Sequence, residues 1–247
     1  MKWVLPRGTR PYIIGHRGAL ACAPENTMAS FREALAQGID LVELDVQMSA
    51  DGQLVVIHDQ TLERTTDGRG FVADTPLAEL QALDAGSWFS PQFAGERVPE
   101  LSEVLAWIKG KAGLVVEVKN GPVFYAGIEQ KIVEALEQHD MVEQTMVVSF
   151  DHPCLYRIKK LRPELNTGIL VASRLLDPVT TAGDVGAAAI VALWALVTKA
   201  DVEVCHGAGL AVCTWGRNPD YEYLLSISVD ALTADHPAAL WELVGQK

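Results

Sequence analysis

Eight short β-rich runs recur along this chain, most of them separated by a helix-like segment. The runs are Tyr12–Ile14, Leu41–Val46, Leu114–Val118, Met146–Ser149, Thr167–Val171, Ala189–Ala192, Ala211–Thr214 and Asp230–Thr233. Helical patterns fall at Met28–Gln37, Leu101–Lys109, Phe124–Gln138, Pro153–Leu161, Lys199–His206 and Pro219–Leu225. Eight strands alternating with crossover helices in 247 residues is the arithmetic of an α/β fold of the (β/α)8 TIM-barrel type. A doubly wound open sheet fits less well, because no GxGxxG follows the first run. Gly38, Gly113 and Gly209 fall in helix-to-strand links, where a left-handed residue ends a helix. The rhythm breaks once. Gln53–His58 reads as an extra strand, and Asp59–Pro99 then carries turn and aromatic signals such as Thr65-Thr66-Asp67-Gly68 and Ala85-Gly86-Ser87-Trp88-Phe89. This segment is expected to form a small insertion subdomain after the second barrel strand, packed over one end of the barrel. The chain, 1–247, is expected to be a single domain.

Charge narrows the choice of partners. The chain carries 20 Lys+Arg against 32 Asp+Glu, a formal net charge of −12, which argues against a nucleic-acid partner or a basic membrane-surface protein. An anionic substrate would need a local attraction. Hydrophobic residues at 49% exclude a disordered chain. Met1–Pro11 lacks the apolar core of a signal peptide, being interrupted by Pro6, Arg7 and Arg10. The longest apolar-leaning stretch, Val185–Val197, is too short to span a bilayer. Cys22, Cys154, Cys205 and Cys213 contain no CxxC pair and read as reduced thiols. A cytoplasmic protein without integral membrane association is expected, and a homo-oligomer is compatible with the sequence.

Chemistry concentrates at the ends of the early strands. In Leu41-Val42-Glu43-Leu44-Asp45-Val46 alternate residues face opposite sides, so Glu43 and Asp45 point together into the barrel. Glu117 and Lys119 likewise share one face of Val115-Val116-Glu117-Val118-Lys119. Two or three carboxylates on a buried face need protonation, ion pairs or a cation. Three carboxylates without Cys or His favour one hard divalent ion, Mg²⁺ or Ca²⁺. Lys119 can pair with Glu117, contact substrate, or both. His16-Arg17-Gly18 follows the first strand and His58-Asp59 follows the extra one, so two imidazoles stand at strand ends as candidate acid and base. Arg17 is suited to fork onto a phosphate. In Pro24-Glu25-Asn26-Thr27, Thr27 can cap the next helix, and Glu25 can add a carboxylate to the metal or substrate region. His139, His152, His206 and His236 are expected on the solvated surface.

Taken together these residues resemble the glycerophosphodiester phosphodiesterase family in its bacterial, cytoplasmic form. The resemblance rests on His16-Arg17-Gly18, Pro24-Glu25-Asn26-Thr27, Glu43-x-Asp45, His58-Asp59 and Glu117-x-Lys119 in order. Leu62–Thr66, Asp84–Phe89, Val98-Pro99 and Asp230–Pro237 extend it over nearly the whole chain. It implies hydrolysis of small-molecule glycerophosphodiesters to sn-glycerol 3-phosphate and an alcohol. It also implies that Glu43, Asp45 and Glu117 hold the ion, that His16 and His58 are the acid–base pair, and that Arg17 and Lys119 contact phosphate. His16 is expected to act first as base and His58 as acid, with water or the glycerol 2-hydroxyl as nucleophile. The pattern departs at Trp215-Gly216-Arg217-Asn218, where the family usually has Trp-Thr-Val-Asn, and at Ser228-Val229-Asp230, where it has Gly-Val-Asp. Trp215 is expected to wall the substrate, and Arg217 adds a cation near the head group. A related barrel phospholipase D or lyase acting on lysophospholipids would share these residues, and a non-catalytic ligand-binding homologue would keep the barrel but could lose a histidine or a carboxylate.

Overall fold

In the computed structural model, residues 10–244 are described, so the signal-peptide expectation for residues 1–11 lies largely outside them. In chain order the elements are β1 (Tyr12–Gly15), α1 (Met28–Ala36), β2 (Leu41–Met48), β3 (Leu54–Val56), α2 (Leu77–Leu80), α3 (Leu101–Ile108), β4 (Gly113–Val118) and α4 (Ile128–Gln138). They continue with β5 (Thr145–Ser149), α5 (His152–Leu161), β6 (Asn166–Val171), α6 (Pro178–Val185), β7 (Ala189–Leu193), α7 (Lys199–Gly207), β8 (Ala211–Trp215), α8 (Tyr221–Ser226), β9 (Ala231–Ala234) and α9 (Pro237–Val244). The strand order β1-β9-β8-β7-β6-β5-β4-β2 closes through a β1–β2 pairing. All the pairings within this ring are parallel, which makes it a (β/α)8 barrel. The extra strand β3 pairs antiparallel on β2, Val46 opposite Val56.

Two-residue periodicity decides what each side of the barrel wall holds. Val42, Leu44, Val46, Val116 and Val118 pack outward under the helices. Tyr12, Ile14, Leu41, Val115, Met146, Val148, Leu170, Val191, Cys213 and Ala231 fill the interior with apolar side chains. The same inward parity, continued towards the C-terminal strand ends, turns charged at Glu43, Asp45 and Glu117. Register brings these positions side by side: Asp45 is the partner of Glu117, and Gly15 pairs with both Val42 and Ala234. His16 therefore leaves β1 between the Glu43 and Asp235 positions, its N–H donating to Ala234 O at 3.0 Å.

The segment 59–99 forms its own small core of Leu62, Val72, Leu80, Ala85 and Val98, closed onto Val55 and Ile57 of the extra-strand region. It is stitched to α1 by Glu96, whose Oε2 accepts the Ala29 N–H at 3.1 Å. Helix α1 begins as the sequence suggests, with Thr27 Oγ1 accepting from Ser30 N.

Several local expectations are corrected. Gly113 is no helix stop. It opens β4, where a Cβ would lie 2.4 Å from Leu41 Cδ2, and the left-handed residue ahead of it is Gly110 at φ 77°. Helix α4 starts at Ile128 rather than Phe124, because Gly127 stands left-handed at its N-cap (φ 80°). Helix α6, absent from the sequence pattern, carries helix-poor Val179, Thr180, Thr181 and Gly183. Asp177, accepting from Thr180 N, and left-handed Gly186 cap it at both ends. Ser228 sits at φ 63°, the conformation that accounts for glycine in the family pattern there. Val185–Val197 breaks into a helix end, β7 and a 3₁₀ turn, and no helix among the described residues is long and apolar enough to cross a membrane.

Gly15 joins barrel to site. A Cβ there would stand 2.4 Å from Gly18 O and 3.2 Å from Ala34 Cβ. Gly15→Ala should lower stability by about 1–3 kcal/mol, the usual cost of overpacking. An unchanged urea midpoint would show that the His16–Gly18 turn yields without strain.

Candidate active site

Asp45 is the innermost charge, with none of its surface exposed. Its Oδ2 accepts from Asn26 Nδ2 at 2.7 Å and lies 3.2 Å from Arg17 Nε. Its Oδ1 lies 2.9 Å from Lys119 Nζ yet receives no directed hydrogen bond. Burial opposes the Asp45 charge, but Lys119 and Arg17 outweigh it and hold the carboxyl well below the usual range. Glu43 is in the opposite position. Burial and the neighbouring Asp45 charge push its carboxyl up to about 7. Burial also raises Glu117, against the pull of Lys119, which donates to Glu117 Oε1. One ligand oxygen from each of Glu43, Asp45 and Glu117 lies within 4.8 Å of the others. Three converging hard oxygen donors, one of them a buried oxygen without a hydrogen bond, suit a divalent cation of the Mg²⁺ or Ca²⁺ type.

Backbone geometry at the first turn serves this cluster. Arg17 is left-handed (φ 48°), as is Asn26 (φ 57°), and a non-glycine residue holds that shape only when its surroundings enforce it. Here Arg17 N donates to Glu43 Oε2 at 2.8 Å, while Arg17 O accepts from Asn26 N and Ser30 Oγ. The turn thus fixes the Arg17 guanidinium, the Asn26 amide and the Glu43 carboxylate together.

Each strand-end histidine stands on an aspartate. His16 Nδ1 is 2.7 Å from Asp235 Oδ1, and His58 Nδ1 is 2.6 Å from Asp59 Oδ1. A carboxylate only accepts, so each Nδ1 carries the hydrogen and each Nε2 is left for other work. The two differ in charge preference. Burial lowers the His16 pKa, but Asp235 and Glu43 more than reverse that, leaving it raised. For His58 burial dominates, reinforced by Lys119 and Arg17, and its pKa is lowered.

Behind His58 lies a second ring of ions. Arg64, from the insertion, donates to both oxygens of Asp59 (2.5 and 2.9 Å) and both oxygens of Glu25 (2.8 Å each). Glu25 also accepts from Arg17 Nη1 at 2.7 Å. The structure thus puts Glu25 behind the three-carboxylate cluster, tying two arginines, rather than in it. Trp215 ends β8 half-buried on the interior core, edge-to-face with Phe150 at 5.5 Å. Arg217 is exposed, its carbonyl accepting from Trp194 Nε1.

Sequence reasoning assigned no roles to Asp235, Arg64 and Asn26. All three sit inside motifs it quoted, yet they find partners 219, 39 and 19 residues away. Two histidines expected on the solvated surface are tied in instead: His206 Nε2 lies 2.8 Å from buried Asp230, and His152 Nε2 lies 3.0 Å from Leu170 O.

Comparison with known proteins gives a consistent result. Residues 16–239 match the Glycerophosphoryl diester phosphodiesterase family. A glycerophosphodiester phosphodiesterase of Caldanaerobacter subterraneus subsp. tengcongensis is 40% identical over 235 residues, covering 94% of this chain and 97% of its own. A crystal structure of a glycerophosphodiester phosphodiesterase from Agrobacterium tumefaciens superposes with a TM-score of 0.82 at 33% identity, covering 95% of this chain and all of its own. An Oleispira antarctica phosphodiesterase, solved in complex with the product sn-glycerol-3-phosphate, gives 0.87 at 34% identity, with 96% and 97% covered.

The Asp59 carboxyl is held down to about 2, first by its hydrogen bonds from Arg64. Arg64→Ala should raise it towards the ordinary value of about 3.9. A carboxyl ¹³C NMR titration reads this directly, and an unmoved Asp59 would show that His58 alone holds the charge.

Proposed function

The chain belongs to the glycerophosphoryl diester phosphodiesterase family, and on that premise we propose how its charged barrel mouth works and which residues act there. It is a phosphodiesterase, and its family's reaction is the hydrolysis of glycerophosphodiesters to sn-glycerol 3-phosphate and an alcohol. In our reading Glu43, Asp45 and Glu117 hold one divalent cation, Mg²⁺ or Ca²⁺. That ion, when bound, supplies Lewis-acid polarisation of the phosphoryl group and offsets charge developing on its oxygens. The observation that carries the proposal is the pair of aspartate-oriented histidines beside a three-carboxylate cluster edged by Arg17 and Lys119.

The chain's own groups divide the work. Arg17 and Lys119 bind the phosphodiester's non-bridging oxygens, exchanging part of their contacts with Asp45 and Glu117 for contacts with substrate. Glu25 and Asp45 keep the guanidinium aimed. His58, whose lowered pKa keeps Nε2 unprotonated near neutral pH, takes the proton from the attacking oxygen, whether of water or of the glycerol 2-hydroxyl. His16, whose pKa Asp235 and Glu43 raise against the effect of burial, is the better suited of the two to give a proton to the departing alkoxide. Environments that drive two titrating groups apart assign their roles in this way, and the order is the reverse of the one expected from sequence. Trp215 with Phe150 forms the apolar side of the mouth, where the substrate's alcohol portion rests, and Arg217 borders it. The substrate is a small molecule, neither nucleic acid nor an integral membrane partner is involved, and we place the protein in the cytoplasm as a single domain with its insertion at 59–99.

The direct test incubates purified protein with glycerophosphocholine and glycerophosphoethanolamine plus Mg²⁺ or Ca²⁺ and measures glycerol 3-phosphate. His16→Ala and His58→Ala should each lose on the order of 10²- to 10⁴-fold in kcat, the usual worth of a general acid or base, with fold and cation affinity kept. Near-normal turnover in both variants would sink the assignment.

Cation binding should also release protons. With Glu43 raised to about 7, its carboxyl is protonated below that pH and must ionise to ligate. Titration calorimetry at pH 6 in buffers of different ionisation enthalpy should show proton release that fades by pH 8. Equal release at both would point to another group.

A further inference from the structure

Gln47 lies on β2 two residues past Asp45, and none of its surface is exposed. A fully buried primary amide is costly unless both ends are satisfied. Here both are. Its Nε2 faces three consecutive carbonyls, Ile57 O at 3.0 Å, His58 O at 3.1 Å and Asp59 O at 2.6 Å. Its Oε1 accepts from the buried Tyr125 hydroxyl at 2.9 Å. Tyr125 comes from the loop after β4, whose first residues are Lys119 and Asn120. Its own N–H donates to Asn120 Oδ1, and Asn120 Nδ2 donates to Asp151 Oδ2.

We propose that Gln47, with its amide locked by Tyr125, is the positioning residue for His58. An amide has two N–H groups, so three carbonyls within reach of one nitrogen curl the chain at 57–59 around a single point. That curl sets both the direction in which the His58 ring leaves the backbone and the place of Asp59 against its Nδ1. The three carbonyls only accept, so they fix which end of the amide faces them, and the Tyr125 hydroxyl holds the other end by donating to Oε1. One tether thereby joins the turn bearing His58 to the loop following Lys119, and holds the imidazole at a fixed distance from the phosphate-binding cation.

The inference rests on the reading of His58 as a group that handles protons in the reaction, and its test separates the two. Gln47→Glu keeps size but removes both donors, setting a carboxyl against three carbonyls. Tyr125→Phe removes only the lock. With the cation-loaded enzyme, Gln47→Glu should lower kcat about 100-fold, the cost of a small misplacement of a reacting group, with KM within about threefold. Tyr125→Phe should lower kcat about two- to tenfold, in line with one lost hydrogen bond, and KM should again hold. The His58 side-chain ¹⁵N signals should shift or broaden in both variants while those of His16 stay in place. Should Gln47→Glu fail to fold, Tyr125→Phe decides alone. Folded variants with wild-type kcat and unmoved His58 signals would overturn the inference, as would a loss confined to KM. If His58→Ala itself remains active, it is the proton-transfer reading that fails, whatever Gln47 does.

Discussion

A carboxylate with no exposed surface is the constraint from which the rest of this structure follows. Asp45 is placed inside the barrel by strand parity alone, and an unpaired charge there would cost far more than a small domain's whole stability margin. It persists because Arg17, Lys119 and Asn26 all turn towards it. Each of those requires support in turn. Arg17 needs a left-handed backbone, which Ser30 and Asn26 brace. Lys119 needs Glu117 beside it, two residues earlier on β4. Glu43 then becomes the third carboxylate in a space with too few cations, and burial and Asp45 raise its pKa. Interaction with one buried charge thus dictates the order of groups round half the barrel mouth.

The insertion finds its purpose at the second ring. A segment with its own apolar core could sit anywhere on the surface, yet this one projects Arg64 between Glu25 and Asp59. A single guanidinium satisfying both oxygens of two carboxylates has its orientation over-determined. Exposed pairs of this kind add little stability, so what Arg64 contributes is position. Asp59 is kept ionised, His58 is kept in one tautomer, and Glu25 is kept against Arg17. The His58 environment therefore hangs on Arg64, a group two contacts removed from the imidazole.

How much of this was readable from the chain depended on the range of the interaction. The barrel strands were legible because apolar alternation over five or six residues reports a face directly, and Glu43, Asp45, Glu117 and Lys119 inherited their inward direction from it. The two histidines were legible as strand-end residues. Their opposite pKa shifts were not, since those arise from burial and from neighbours such as Asp235, 219 residues from His16. Arg64 and Gln47 were invisible as functional groups for the same reason: each is an ordinary polar residue until folding supplies its partners. Helix α6 was lost because its stability comes from caps and packing while its interior residues favour other conformations. Gly113 misled because a glycine at a strand start and a glycine at a helix end look identical until the Leu41 side chain is seen above it.

The acidic surface and an anionic substrate can be reconciled by local counting. Around the mouth the carboxylates of Glu25, Glu43, Asp45, Asp59 and Glu117 face the cations Arg17, Arg64 and Lys119. That leaves an excess of two negative charges, which a single dication cancels. A phosphodiester with one negative charge would then meet a neutral pocket in which Arg17 and Lys119 can exchange carboxylate contacts for phosphate ones, inside an envelope whose net charge is −12. Beyond a Debye length of about 8 Å the envelope is screened, whereas the pocket contacts act within a few ångströms. A compact monoanion needs only the short-range attraction. A polyanion must also lay its remaining charges against the acidic surface, where repulsion grows with each added group. On the proposed reading, the same arrangement that holds Asp45 inside the barrel would select by charge count as well as by shape.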